Sequence, residues 1–235
     1  MKKTIGIISL LVFYTFHTLA QELPNPTGTE KKYKFFAALT GGPSMPVGPF
    51  GSSSVTSSSS ESGFAEFGYN INLHTGYQFG THYGLASTIF YSRYKLDVAA
   101  LTKLFQDVLP PNSSIGADHW QYYGILAGPM GTVALTRNVS LDVKVLAGIA
   151  RANFPVFEFA NTQSQEKWTN AFAWQSGTNL RYNFTPKACF FTNLDYNFMK
   201  PVWKLSDTTD GQGQTTDVEQ KMGVIDLSVG LGINL

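Results

Sequence analysis

The chain closes with the stretch Ile225-Asp226-Leu227-Ser228-Val229-Gly230-Leu231-Gly232-Ile233-Asn234-Leu235. Every second position in it is aliphatic, namely Ile225, Leu227, Val229, Leu231, Ile233 and Leu235. The intervening positions carry glycine or a polar residue. Because successive side chains of a strand point to opposite faces, this period of two predicts a β-strand with one apolar and one polar face. A helix would scatter the six aliphatic side chains around its circumference.

The same alternation recurs upstream in the segments that begin at Phe67, Leu141, Phe172 and Phe190. Three further segments are strand-like with less distinct faces. Together these patterns predict eight strands, over residues 33–44, 64–79, 83–97, 119–135, 139–153, 168–184, 188–205 and 218–235.

The connections between these predicted strands alternate strictly between long and short. Three are tight, at residues 80–82, 136–138 and 185–187, and four are long, at residues 45–63, 98–118, 154–167 and 206–217. All short turns should therefore lie at one end of the sheet and all long loops at the other. An even strand number with this alternation of short turns and long loops is typical of a transmembrane β-barrel. The barrel should be closed, because an open sheet edge in lipid would leave backbone groups without partners.

The composition agrees with a membrane barrel. Only 14% of the residues are charged, against about 25% in a typical soluble domain. Aromatic residues make up 14% of the chain, and several lie near predicted strand ends, as interfacial girdles require: Phe64, Phe67, Trp168, Phe172 and Trp203. The absence of a basic stripe argues against nucleic-acid binding. A single cysteine excludes an intrachain disulfide framework.

The amino terminus reads MKKTIGIISLLVFYTFHTLA over residues 1–20. Two lysines, an apolar stretch and small residues before the cut are the three parts of a secretory signal peptide. The apolar part is shorter than the roughly 20 residues that a spanning helix needs. We therefore expect cleavage near Ala20, a short periplasmic lead at residues 21–32 and a single barrel domain at residues 33–235.

The polar faces of the predicted strands carry six charged residues that we expect inside the barrel: Glu66, Asp142, Lys144, Arg181, Asp195 and Asp226. Charges on the lipid side would be costly, whereas the aliphatic set of the last strand suits lipid. Asp142 and Arg181 lie at a similar height on neighbouring strands. Lys144 and Asp195 lie slightly higher, on strands that are not adjacent. Unpaired buried charge is expensive, so opposite charges should pair across the lumen and plug it.

One long loop contains a predicted helix, because Val98, Leu101, Leu104, Phe105 and Val108 recur at helical spacing before Pro110-Pro111. Such a helix could cap the barrel mouth or act as an interfacial or ligand-gripping element.

No motif assigns catalytic, metal-binding or cofactor-binding residues. His119 and Asp118 adjoin each other near the long-loop level, where a lipid-modifying enzyme would keep its site. The chain has no G-x-S-x-G elbow and no His-x-Ser pair to accompany them. It also has no Gly-rich phosphate loop, HExxH or CxxC sequence.

The alternation, loop rhythm and terminal strand resemble those of the small eight-stranded outer-membrane barrels of the OmpA/OmpX type. The resemblance is closer to the proteins grouped as outer-membrane β-barrel or porin-family proteins, and it covers nearly all of the chain after the signal. It implies that both termini face the periplasm and that four long loops face outside. The last strand in that family usually ends in an aromatic residue that the insertion machinery reads, whereas this chain ends in Leu235.

These features predict an integral outer-membrane protein of a Gram-negative bacterium: an all-β, closed, eight-stranded, antiparallel up-and-down barrel with a plugged polar interior. We expect a structural or recognition role through the outer loops. The expected partners are outer-membrane lipid, the insertion machinery through the last strand, and an unidentified extracellular or envelope protein. Three alternatives remain: a soluble lipocalin-like barrel that binds an apolar ligand, a lipid-modifying barrel enzyme, and a small pore. In the lipocalin-like case the apolar face would point inward.

Overall fold

The computed structural model describes residues 34–53, 62–105, 115–159, 162–163, 167–207 and 214–235. The predicted signal at residues 1–20 and the periplasmic lead at residues 21–32 lie outside the described residues. The Pro110-Pro111 helix stop also lies outside them.

Eight long strands form the barrel wall. They are β1 (Phe35–Val47), β2 (Ala65–Gln78), β3 (Tyr83–Leu96), β4 (Trp120–Ala134), β5 (Val139–Phe154), β6 (Lys167–Asn183), β7 (Ala188–Met199) and β8 (Met222–Asn234). Each strand pairs antiparallel with the next, and β8 pairs back with β1. The closed eight-stranded up-and-down barrel predicted from the sequence is confirmed.

Closure depends on the seam between the first and last strands. Phe36 lies opposite Asn234 at one end of this seam, and Val47 lies opposite Gly223 at the other. On its second edge, β8 pairs with β7 from Ile233 to Met222. The apolar and polar alternation read in the terminal stretch therefore belongs to a strand that is hydrogen-bonded on both sides, and no wall edge among the described strands is left open.

The three short turns share one end of the barrel, at residues 79–82, 135–138 and 184–187. Hydroxyl side chains stabilise two of them. Thr136 Oγ1 accepts the backbone N–H of Val139 at 3.1 Å, and Thr185 Oγ1 accepts that of Ala188 at 2.9 Å. These local bonds satisfy backbone donors that the ladder leaves unpaired, so the chain reverses within four residues.

Three predicted strand limits were wrong. The eighth strand begins at Met222 and not at 218, because Gln214–Glu219 belongs to a separate hairpin. The seventh strand ends at Met199 and not at 205, because Lys200 and Pro201 interrupt it and Pro201 has no backbone donor for the ladder. The residues beyond form a separate hairpin, in which Val202–Asp207 pairs with Gln214–Glu219. The first strand runs three residues past the predicted limit of 44, to Val47.

The remaining loop elements lie at the long-loop end. A 3-10 helix, Gly48–Gly51, follows β1 and begins at a glycine with φ of 63°. Helix α1 (Val98–Phe105) follows β3, and Asp97 Oδ1 accepts the Ala100 N–H at 2.9 Å at its start. Ile115–Ala117 pairs with Phe157–Phe159, which pairs with Thr162–Gln163. Among the described residues, no helix is long and apolar enough to cross a membrane.

The wall has an apolar outer surface and a polar interior. One row of outward side chains, at positions that are paired across neighbouring strands, crosses six strands. Its members are 40–68% exposed: Leu39, Leu73, Ile89, Ile125, Ile149 and Phe172. The alternating set of the last strand is exposed as well: Ile225, Leu227, Val229, Leu231, Ile233 and Leu235. A continuous apolar surface of this kind on every wall strand suits lipid and not water. The fold is therefore a transmembrane barrel, and its polarity is opposite to that of a lipocalin-like barrel.

Candidate functional site

The lowest layer of the interior lies near the short turns and contains Arg181 and Asp142. Arg181 Nη2 lies 3.5 Å from Asp142 Oδ1, and Arg181 Nε donates to Ser140 Oγ at 3.0 Å. Thr132 donates to the same carboxylate oxygen at 2.7 Å. The guanidinium also stacks 4.6 Å above the ring of Phe36. Both charges are buried, so this layer fills the barrel with an ion pair on adjacent strands β5 and β6.

The middle layer is built around Lys144 and Asp195, whose strands are not adjacent. Lys144 Nζ lies 3.1 Å from Asp195 Oδ1, with both side chains at most 1% exposed. The same ammonium group lies 3.4 Å from His74 Nδ1. The Lys144–Asp195 pair bridges β5 and β7 over Gly177 of the intervening strand β6, which lies opposite both residues.

His74 connects the middle layer to a set of neutral groups. Thr88 Oγ1 lies 3.0 Å from its Nδ1, while Thr40 Oγ1 and Asn193 Nδ2 lie 3.1 and 3.2 Å from its Nε2. Asn193 also donates to Ser228 Oγ at 3.2 Å. The inward polar faces of these strands therefore form one connected network. Its hydroxyl and amide members are common residue types, so only the assembled barrel distinguishes them as a network.

The upper layer surrounds Asp226. Ser44 donates to one of its carboxylate oxygens, and Asn197 Nδ2 donates to the other at 2.6 Å. The Ser44 hydroxyl also lies 2.6 Å from the hydroxyl of Tyr94, which lies 2.7 Å from that of Tyr122. Asp226 therefore has hydroxyl and amide partners, whereas Asp142 and Asp195 have cations.

A cluster of aromatic side chains, here called the mouth cluster, closes the barrel above these layers. It consists of Phe50, Trp120, Phe154 and Trp203. Trp120 lies at the centre, with ring centroids 5.6 to 5.8 Å from the other three. Its indole donates to the Gly63 carbonyl at 2.8 Å, and that of Trp203 donates to the Ala152 carbonyl at 3.2 Å.

The mouth cluster corrects the expected aromatic girdle. Trp203 is 1% exposed and Phe64 is 8% exposed, so neither faces lipid. Both lie beyond the wall strands in segments that fold back over the lumen. Phe50 was not identified from the sequence, because its burial depends on the turn at Gly48 that directs the loop inward.

Glu66 was wrongly placed among the interior residues. Its side chain is exposed, whereas Ala65 is buried. The pairing of β2 with β3 is irregular between Ala65 and Gly68. A bulge of this kind adds one residue to a strand and reverses the alternation beyond it. The other five predicted interior charges are buried: Asp142, Lys144, Arg181, Asp195 and Asp226.

The Asp118 and His119 pair lies outside the lumen, at the start of β4. His119 Nδ1 lies 3.1 Å from Asp118 Oδ1 and 3.2 Å from Arg93 Nη2. Hydrogen bonds from the backbone and side chain of His119 lower the pKa of the Asp118 carboxyl. No serine hydroxyl is among the described contacts of His119. The described residues also contain no group of three or more His, Cys, Asp and Glu side chains that could hold a metal ion.

Several solved structures share this architecture. Ail, the attachment invasion locus protein of Yersinia pestis, is 18% identical with a TM-score of 0.47, over 85% of this chain and 99% of that one. Neisserial surface protein A is 14% identical with a TM-score of 0.45, over 86% and 97%. A major outer membrane protein from Thermus thermophilus is 10% identical with a TM-score of 0.48, over 85% and 98%. No family model and no curated protein matches the chain.

The site as a whole is a filled lumen. Two buried ion pairs, a hydrogen-bonded carboxyl and four aromatic rings occupy successive levels from the short turns to the mouth. Each buried charged group in the lumen has an ion-pair or hydrogen-bond partner on another wall strand.

Proposed function

We propose that this chain is an integral outer-membrane protein with a closed interior, which serves the envelope structurally and presents its long-loop end for recognition. The observation that carries the proposal is the polarity of the wall. Apolar side chains cover the outside, and four of the five buried charged side chains form two ion pairs inside. A barrel with this polarity is stable in a bilayer, whereas in water it would expose a large apolar surface.

The filled lumen favours a structural or recognition role over a pore. An eight-stranded barrel is just wide enough for its own side chains to fill. The Lys144–Asp195 pair lies in the interior over Gly177 of β6, and the mouth cluster closes the barrel above it. The proposal therefore includes no ion path and no catalytic step.

Three kinds of partner follow from the proposal. Outer-membrane lipid would surround the apolar wall, and the insertion machinery would recognise β8. An extracellular or envelope protein would bind at the long-loop end, where α1 and the hairpin of Val202–Asp207 and Gln214–Glu219 project beyond the wall.

Electrophoresis of the envelope fraction tests the proposal. The protein is extracted with detergent and run in SDS with and without boiling. We expect it to fractionate with the outer membrane and to change mobility on boiling, because a closed barrel stays folded in cold SDS. Release into buffer without detergent, with no mobility change, would contradict the proposal.

A further inference from the structure

The short-turn end of the barrel carries exposed basic side chains at three consecutive strand junctions. Arg137 lies in the turn between β4 and β5, Lys187 lies in the turn between β6 and β7, and Lys34 lies directly before β1, which pairs with β8. All three side chains are exposed. The fourth junction, between β2 and β3, carries His82 in place of a lysine or an arginine. Arg137, Lys187 and Lys34 are here called the basic arc.

Strand pairing fixes the backbone at two members of the basic arc. The Gln78 N–H donates to the Lys34 carbonyl at 2.7 Å, and the Asn234 N–H donates to the Lys187 carbonyl at 2.9 Å. Consecutive junctions are two strands apart, so neighbouring members lie about 10–12 Å from each other along the rim of a barrel with tilted strands. The Debye length at physiological ionic strength is about 8 Å, so the positive potentials of neighbouring members partly overlap.

No acidic side chain compensates the charge of the basic arc. Within the part of the chain that the structure describes, no ion pair involves any of its members. The sequence of the short-turn end, at residues 34–35, 79–82, 135–138 and 184–187, contains no Asp or Glu. The opposite end of the barrel is different, because it carries acidic side chains that are exposed or half-buried: Glu66, Asp97, Asp118, Asp217 and Glu219.

Exposed apolar side chains lie next to the basic arc at the edge of the outer wall. Leu135 and Phe184 precede the basic residues of their own turns, and both are exposed. Leu235 is exposed beside Lys34, since its N–H donates to the carbonyl of the next residue, Phe35, at 2.8 Å. A basic side chain beyond an apolar belt is typical of the level where acyl chains give way to headgroups. The basic arc therefore lies at headgroup level.

We propose that the basic arc binds the headgroups of anionic phospholipids in the leaflet that surrounds the short turns. Lysine and arginine at a membrane surface attract anionic lipid, and no acidic side chain at this end opposes that attraction. The apolar belt beside the arc would contact the acyl chains of the same lipids. The proposal rests on the function proposed above, because the outer-membrane location places the short turns at the periplasmic leaflet.

The test uses the purified full-length protein in a non-ionic detergent, with bound lipid counted by native mass spectrometry. The probe is dioleoyl phosphatidylglycerol. We expect the K34Q/R137Q/K187Q triple variant to bind it about 100-fold more weakly than the unmodified protein, because each cation at a membrane surface contributes about a fivefold preference for anionic lipid. A matched control, K95Q/K103Q/K204Q, removes three exposed lysines at the long-loop end and should bind as the unmodified protein does.

Two further arms define the ligand. Dioleoyl phosphatidylcholine has the same acyl chains and no net charge, so it should bind the unmodified protein as weakly as phosphatidylglycerol binds the triple variant. Inorganic phosphate should not displace phosphatidylglycerol, because the acyl chains contribute to binding. Equal losses in the two triple variants, equal binding of the two lipids, or displacement by inorganic phosphate would overturn the proposal.

A cosedimentation experiment with purified peptidoglycan tests a periplasmic polymer as the occupant instead. The unmodified protein and K34Q/R137Q/K187Q should remain in the supernatant to the same extent. Cosedimentation of the unmodified protein that is lost in this triple variant would overturn the assignment to lipid.

Mobility in cold and boiled SDS separates this proposal from the one on which it rests. Both triple variants should keep the mobility change, because all six substituted side chains are exposed. A mobility change with no difference in lipid binding would overturn the phospholipid site alone. Absence of the change in the unmodified protein would contradict the barrel itself.

Discussion

At the scale of single residues, buried charge decides which substitutions the interior tolerates. Lys144 and Asp195 are almost completely buried and form an ion pair inside the barrel. Removing one member of such a pair leaves the other charge without compensation, whereas removing both restores neutrality. The pair is therefore more sensitive to a single substitution than to a double one.

We expect Lys144→Met to lower the free energy of unfolding by about 3–5 kcal/mol, because Asp195 stays buried and loses its cation. The K144M/D195L double variant should recover much of this loss. The measurement is urea unfolding in detergent micelles, followed by the change in electrophoretic mobility. A double variant less stable than K144M would contradict the pairing.

Gly177 leaves room for the Lys144–Asp195 ion pair. A Cβ atom at this position would lie 1.9 Å from Asp195 Oδ1. We expect Gly177→Ala to displace the carboxylate and to cost about 1–3 kcal/mol of stability, as other overpacked sites do. Gly131→Ala is the control, because its Cβ would meet nothing closer than 3.9 Å. Equal urea midpoints for the two variants would show that Asp195 moves without cost.

At the scale of elements, the long-loop hairpin is fixed to the wall through one face. Trp203 points inward and joins the mouth cluster, with ring centroids 5.8 Å from Trp120 and 5.5 Å from Phe154. Its neighbour Val202 is 39% exposed. The alternation of strand side chains therefore divides the hairpin into an anchoring face and a free face.

We expect Trp203→Ala to destabilise the protein by about 3–5 kcal/mol, because it leaves a cavity among buried rings. Val202→Ala should change stability by less than about 0.5 kcal/mol, since it alters an exposed side chain. Urea midpoints in detergent provide the comparison. Similar midpoints for both variants would mean that the hairpin does not pack on the mouth.

At the scale of the whole molecule, the filled lumen predicts the absence of ion conductance. The ion pair near the short turns, the ion pair of the middle layer and the mouth cluster obstruct the same path at different heights. Purified protein should therefore give no stepwise current in a planar lipid bilayer. A parallel sample must show the boiling-dependent mobility change, so that the absence of current can be attributed to a folded barrel. Reproducible unitary steps that disappear when the sample is boiled would favour the pore alternative.

The sequence by itself determined the strand number, the closure and the inward or outward face of most wall residues. The alternation from Ile225 to Leu235 and the loop rhythm depend on local geometry, since a strand side chain has only two faces to choose between. The same rule is enough to place Asp142 and Arg181 on the inward faces of neighbouring strands. It failed at Glu66, where a bulge reversed the alternation.

Only the tertiary structure decided which inward residues meet. The ion pair of Lys144 and Asp195 depends on the register of β6 with both of its neighbours, which places the two residues opposite the same Gly177. Phe50 and Trp203 belong to segments whose inward path depends on a glycine turn and a hairpin. Local periodicity contains none of this information, since contacts between distant segments arise only when register and closure fix their relative heights.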